Sequence, residues 1–252
     1  MNNMNKVIAI TSGKGGTGKT TAAAAISSSL AMLGHKTLCV DFDFRLKNLD
    51  LALGIKDTTI SNIMDVSNGH VDIIDACIEH EKIDGLFYLS ASGSFDQVIL
   101  NADGLYKVFD DIREQFDYCI LDTPAGIGSG FELAHKFADS SLIVATGEVT
   151  AIRDAQRTAY AITENGITNI RLLVNRTKRS DFKWLRQTID DMINIIGVQL
   201  IGVVQENRAV FRALHSGIPL MLYARRSSIY CEFMDAAKRI TGEEVPLRLR
   251  LI

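Results

Sequence analysis

The sequence predicts an α/β fold: a single domain built on a mainly parallel, twisted sheet flanked by helices. Three observations carry that expectation. Short apolar runs alternate with longer amphipathic stretches from one end of the chain to the other, as strand–helix–strand crossovers require. The 252 residues fit one large domain better than two small ones, and 47% are hydrophobic, enough to fill a sheet covered on both faces. Only three prolines occur, and no low-complexity linker or internal repeat interrupts the pattern. The expected domain therefore spans residues 1–252, with 246–252 as a short C-terminal tail.

The first element is a strand over residues 7–11, on the apolar run Val7-Ile8-Ala9-Ile10. A glycine-rich stretch separates it from an alanine-rich segment, 21–33, whose composition favours helix. The run Leu38-Cys39-Val40 predicts a second strand over 37–41 that ends on an acid. Strands over 85–90 and 118–122 follow, with a helix-period stretch at 102–116 between them. Further strands at 142–146, 170–175 and 200–204 are separated by helical stretches at 151–165 and 182–196. Helices over 208–216 and 227–240 close the pattern.

Composition excludes some classes of function. Net charge is −3 with both signs dispersed, so no domain-wide basic field invites nucleic acid. The four cysteines, Cys39, Cys77, Cys119 and Cys231, form no C-x-x-C pair, and two of them sit inside apolar runs. A reduced, cytoplasmic protein is the simplest fit. The opening Met1-Asn2-Asn3-Met4-Asn5-Lys6 is polar and does not read as a signal peptide, and no apolar run approaches transmembrane length.

The most specific stretch is Gly13-Lys14-Gly15-Gly16-Thr17-Gly18-Lys19-Thr20. A strand before it and a helix after it make G-x-x-x-x-G-K-[ST] a phosphate-binding loop. The glycines let the backbone curl and point its N–H groups at a β-phosphate. The helix that follows adds its unsatisfied N–H groups and the positive end of its dipole. Lys19 is expected on the β- and γ-phosphates, the Thr20 hydroxyl on Mg²⁺, and neighbouring Thr21 completes the binding segment. The second strand ends at Asp41-Phe42-Asp43. Two carboxylates at i and i+2 point to the same side if the strand continues, one toward a Mg²⁺ shell and one toward attacking water. The run Tyr118-Cys119-Ile120-Leu121-Asp122-Thr123-Pro124-Ala125-Gly126 reads as a Walker B strand. Its Asp122 meets a magnesium-bound water or Thr20, and Pro-Ala-Gly forms a switch.

The loop carries a second lysine, Lys14, and the run Lys14 to Thr20 resembles the deviant Walker A motif of the MinD/ParA group of ATPases. The segments Val40 to Asp50, Asp122 to Ile127, Glu148 to Asp154 and Gly202 to Pro219 are similar to the MinD branch, so the resemblance covers nearly the whole chain. It implies ATP and Mg²⁺ as cofactors and a nucleotide-sandwich homodimer in which Lys14 crosses to the partner's phosphates. It implies that Asp43 positions the hydrolytic water and that Asp41 is an outer-shell magnesium partner. Asn175 is implied on the adenine edge and Arg176 on its face, with Gln205, Glu206 and Asn207 giving backbone contacts to the base. A plain helix-cap role for Asn175 is the competing reading. Two positions depart from the pattern. Gln205 replaces a usual proline, and Gln156 stands where a second acid commonly meets regulators, which puts recognition of a MinC- or MinE-like partner in question.

The resemblance implies a slow, partner-stimulated ATPase that regulates placement of the division site or a similar polar structure. A ParA-like DNA-partition ATPase is the alternative, with Lys178-Arg179, Lys183 and Arg186, or Arg225-Arg226, as the basic clusters. An electron-transfer ATPase is a third class and requires cysteines at the dimer face. The tail Pro246-Leu247-Arg248-Leu249-Arg250-Leu251-Ile252 alternates with a strand's period, unlike the amphipathic membrane helix that ends MinD proteins. Peripheral attachment to the inner membrane is expected only if a C-terminal helix is missing from this chain.

Overall fold

The computed structural model describes residues 6–43, 48–56, 61–90, 102–178 and 182–247. The strands are β1 Val7–Thr11, β2 Thr37–Asp41, β3 Ile78–Glu79, β4 Leu86–Ser90, β5 Tyr118–Asp122, β6 Ser140–Ala145, β7 Ile170–Thr177 and β8 Gln199–Gln205. They form one sheet in the order β3-β4-β2-β5-β1-β6-β7-β8. Every pairing is parallel except β3 with β4. Strand β1 lies between β5 and β6, so the sheet's order reverses beside it. Open parallel sheets bind ligands at such a crevice, and the glycine loop leaves the end of this strand.

The helices are α1 Lys19–Met32, α2 Leu49–Leu53, α3 Ile63–Ser67, α4 Ile73–Ala76, α5 Ala102–Gln115, α6 Ser129–Phe137, α7 Val149–Glu164, α8 Phe182–Ile196, α9 Arg208–His215, α10 Leu220–Tyr223 and α11 Ser228–Ile240. They cover both faces. On one face α1, α2, α10 and α11 pack on Ile8, Ile10, Cys39, Ile120 and Leu142. On the other, α3 to α6 cover Val7, Val40, Cys119 and Leu121, while α7 and α8 cover Ile143, Leu172 and Val174. Cys39 and Cys119 therefore face opposite sides of the core, and all four cysteines are free.

Helix α1 is buried along most of its length, which its composition permits. Alanines let it approach the sheet closely. Ser27, Ser28 and Ser29 satisfy their hydroxyls on the carbonyls of Ala23, Ala24 and Ala25 at 2.7–2.8 Å, so no polar group is stranded.

The seven strands expected from the sequence are all present. β7 runs two residues further than expected, to Thr177, and β6 begins at Ser140. The two-residue β3 is too short for any periodicity to register. Helix α6 escaped the sequence because Gly126, Gly128 and Gly130 crowd its start, and glycine disfavours helix. Helices α2, α3, α4 and α10 have four or five residues each, below the span over which a helical period can be read.

Two buried histidines stitch loops to this frame. His80 Nδ1 accepts the N–H groups of Lys82 and Ile83 at 3.0 and 3.1 Å, and Nε2 faces the Leu53 carbonyl at 3.0 Å. His135 Nδ1 donates to the Phe131 carbonyl at 2.7 Å while Nε2 meets the Ser141 hydroxyl at 3.2 Å. Burial, which disfavours the imidazolium, lowers the pKa of His80 and brings that of His135 down to about 4. A folded-state value below the ordinary 6.5 means that the unfolded chain binds the proton first. The stability His135 contributes is complete above about pH 6.5 and is lost as pH falls toward 4. Between pH 8 and pH 5 this loss is about 2 kcal/mol. Urea unfolding of wild type and His135→Gln at both pH values should show the variant losing less by about that amount. Equal losses in the two proteins would assign the acid sensitivity to other groups.

Candidate nucleotide site

The glycine loop lies against two elements that are remote in sequence. At Gly13 an added Cβ would stand 2.6 Å from the Asp154 Cβ and 2.7 Å from its carbonyl oxygen, so only glycine lets the loop touch helix α7. Gly18 has φ 89°, and an added Cβ there would lie 2.4 Å from the Asn175 amide nitrogen. At Gly13 the clash is with backbone and bars substitution; at Gly18 the Asn175 side chain would have to shift, and the left-handed backbone adds strain. Thr17 is buried, Lys19 opens α1, and Thr20 and Thr21 are half-buried in its first turn.

Beneath the loop lies an acidic row. Asp41 and Asp122 are register partners on β2 and β5, 1% and 2% exposed. Lys19 Nζ donates to Asp122 Oδ1 at 2.7 Å, a buried ion pair that holds the lysine head under the loop. Burial pushes the Asp122 carboxyl above the ordinary range against the opposing pull of Lys19 and Thr20. Burial, then the charge of Asp122, raises Asp41 to about 7.

The expected i, i+2 pairing of Asp41 and Asp43 is corrected here. Strand β2 ends at Asp41, because its carboxylate accepts the Asp43 N–H at 3.1 Å and the Leu49 N–H at 3.2 Å. That closes an Asx-type turn at the end of the strand expected over 37–41, so the continuation that the i, i+2 alignment requires does not occur. Asp43 is half-buried beyond the turn. Residues 44–47 lie outside the described residues.

The Thr20 hydroxyl and the Asp41 and Asp122 carboxylates are hard oxygen donors. Among the described residues no group of three or more His, Cys, Asp or Glu converges on a metal position. The oxygen donors fit Mg²⁺, which takes one or two carboxylates with phosphate and water rather than a full protein cage. Burial disfavours the ionised form of both carboxyls, and a bound cation would favour it.

Lys14 is turned toward its own chain. Its Nζ lies 2.6 Å from Glu148 Oε2 and 3.5 Å from the Thr150 hydroxyl, at the start of α7. Lys14 holds the exposed Glu148 carboxyl below its usual range. The sequence singled out the segment Glu148 to Asp154, but 134 residues of separation hid the pairing with Lys14.

At the far side, Asn175 is buried within β7 and caps no helix. Its amide donates to the Thr17 carbonyl at 2.8 Å. Arg176 has φ 56°, and its guanidinium donates to the Gly16 carbonyl at 2.8 Å and pairs with Glu206 at 2.9 Å. Asn207 is the residue that caps a helix: its side chain accepts the Ala209 N–H at 2.8 Å at the start of α9. Gln205, in the place of a proline, uses its backbone N–H on the Glu232 carboxylate at 2.9 Å. A proline has no such donor and could not make this bond, a link that sequence spacing does not reveal. Among the basic clusters, Lys178, Arg225 and Arg226 are exposed. Arg179, the side chains of Lys183 and Arg186, and the tail from Arg248 lie outside the described residues.

A family model described as "AAA domain" matches residues 5–172. The septum site-determining protein MinD of Synechocystis is 34% identical over 245 residues, covering 96% of this chain and 92% of the relative. The chain belongs to the MinD family of P-loop ATPases. Solved MinD structures share its fold closely. MinD in a MinC:MinD cell division complex from Aquifex aeolicus superposes with a TM-score of 0.87 at 33% identity, covering 96% of this chain and 98% of the other. MinD with Mg-ADP from Pyrococcus horikoshii superposes at 0.80 with 27% identity, covering 94% and 96%. No described helix is long and apolar enough to cross a membrane.

Proposed function

We propose that this MinD-family chain is an ATP-switched homodimer that binds ATP with Mg²⁺, hydrolyses it slowly, and uses the cycle to place the division site or a similar polar structure. The observation that carries the reading is the convergence of Lys19, Thr20 and Asp122 directly under the glycine loop. Loop N–H groups receive the phosphates, and Lys19 moves from Asp122 to the β- and γ-phosphate oxygens. Bound Mg²⁺ supplies charge neutralisation at those oxygens. Thr20, Asp41 and Asp122 would hold it, and Asp43 would orient the attacking water. The partner is a MinC- or MinE-like protein, as the Aquifex MinD complex with MinC supports. Its docking face is the exposed side of α7, which carries Arg153, Gln156, Arg157 and Tyr160. Faster hydrolysis on adding such a protein is the readout for that part.

Titrating a fluorescent ATP analogue with Mg²⁺ against wild type and Lys19→Ala tests the core of the reading. A charge-assisted contact is worth about 1.5–3 kcal/mol, so the variant should bind about 10- to 100-fold more weakly. Equal affinity would remove Lys19 from the phosphate site.

A further inference from the structure

Strands β7 and β8 fall out of step next to the glycine loop. Val174 pairs with Val203 and Thr177 with Gln205, so β7 spends three residues where β8 spends two. Consecutive side chains of a regular strand point to opposite faces, and a bulge is the device that re-aims them. Here it turns Asn175 and Arg176 to the same target. Asn175 donates to the carbonyl of Thr17 and Arg176 to that of Gly16, each at 2.8 Å. Arg176 is the only non-glycine with positive φ among the described residues.

A loop that turns its N–H groups inward to phosphate must turn carbonyls outward, where they need donors of their own. Consecutive residues of β7 supply them. The outer edge of the Arg176 guanidinium meets Glu206 Oε1 through Nη2 at 2.9 Å and Nε at 3.3 Å. Glu206 is anchored in turn by its N–H on the Thr177 carbonyl at 2.9 Å. Loop, guanidinium, carboxylate and β7 backbone thus close a ring, and a planar fork of five donors suits that role as a lysine does not.

We propose that Arg176, held by Glu206, is a positioning residue that sets the shape of the phosphate loop and couples it to Glu206 at the end of β8. The proposal rests on the nucleotide-site reading above and adds to it. An arginine that only faced the base would leave a ligand without a base unaffected. A clamp on the loop acts on phosphates alone.

The probe is therefore inorganic tripolyphosphate beside ATP, both with Mg²⁺, titrated calorimetrically against wild type, Arg176→Ala, Arg176→Gly, Arg176→Lys and Glu206→Gln, with a melting curve for each. Arg176→Ala and Arg176→Gly should bind tripolyphosphate about tenfold more weakly. Arg176→Lys should recover part of the loss through a single donor, and Glu206→Gln should show a smaller loss. Glycine adopts the left-handed backbone freely, so Arg176→Gly should melt no lower than Arg176→Ala while binding as weakly, which separates positioning from folding. Loss of ATP affinity with tripolyphosphate binding intact would assign Arg176 to the base alone and overturn the clamp. So would unchanged binding of both. A wild type that binds neither ligand would instead overturn the nucleotide reading, and the clamp with it.

Discussion

Replacing Asp43 with alanine will leave ATP binding and dimer formation in place and slow hydrolysis by about 10²–10⁴-fold, the usual contribution of a group that orients or deprotonates a nucleophile. The expectation follows from where the turn after β2 puts this residue. Its backbone N–H is bound to Asp41 Oδ1 at 3.1 Å, and that bond survives loss of the side chain. The Asp41 turn, and with it the entry to α2 at Leu49, should persist in the variant. The Asp43 carboxylate lies close enough to the acidic row that its charge, after burial and other causes, is among those raising both Asp41 and Asp122. It is the half-buried member of the three and so the one with access to water. Phosphoryl transfer asks little covalent chemistry of the protein, so misplacing the water is sufficient to stall it. Single-turnover hydrolysis under saturating ATP, beside a binding titration, separates the two effects. Normal turnover in the variant would take Asp43 out of the mechanism, and lost binding would give it a structural role.

The central strands were legible because each is a short apolar run ending at a polar group, and burial on both faces demands that pattern. The phosphate loop was legible because its chemistry is local: strand, glycines, lysine and helix follow one another in the chain. What stayed hidden is made by long-range contacts or by turns that override a period. The strand was read correctly as ending at Asp41, but not the turn that follows, in which the Asp41 carboxylate finds backbone donors at Asp43 and Leu49. The same holds at β7, where a bulge carries Asn175 and Arg176 to loop carbonyls more than 150 residues away in sequence. The residue types at the site were readable, but their partners were set by the sheet order.

Lys14→Ala should bind nucleotide and yet stay monomeric with ATP. Within one subunit Lys14 lies 2.6 Å from Glu148, with side chains 33% and 68% exposed. An exposed pair of this kind is screened by solvent and is easily broken. The γ-phosphate of a partner's ATP offers the lysine a stronger, less hydrated acceptor, so the lysine should leave Glu148 when two ATP-loaded subunits meet. A two-fold dimer uses the contact twice. At about 1.5–3 kcal/mol for each lysine–phosphate contact, losing both weakens the dimer by about 10²–10⁴-fold. ADP lacks the γ-phosphate that recruits the second lysine, so the wild type should be monomeric with ADP and dimeric with ATP. The variant keeps Lys19 and the loop N–H groups, which hold the nucleotide of its own subunit, so its affinity for ATP should fall far less than its dimerisation. Sedimentation with ADP and with ATP, in an Asp43→Ala background that preserves the triphosphate, compares the two proteins directly. The nucleotide-sandwich reading would be refuted by a parent that remains monomeric with ATP. It would be refuted equally by a Lys14→Ala protein that dimerises as readily as its parent, because the lysine would then have no partner's phosphate to reach.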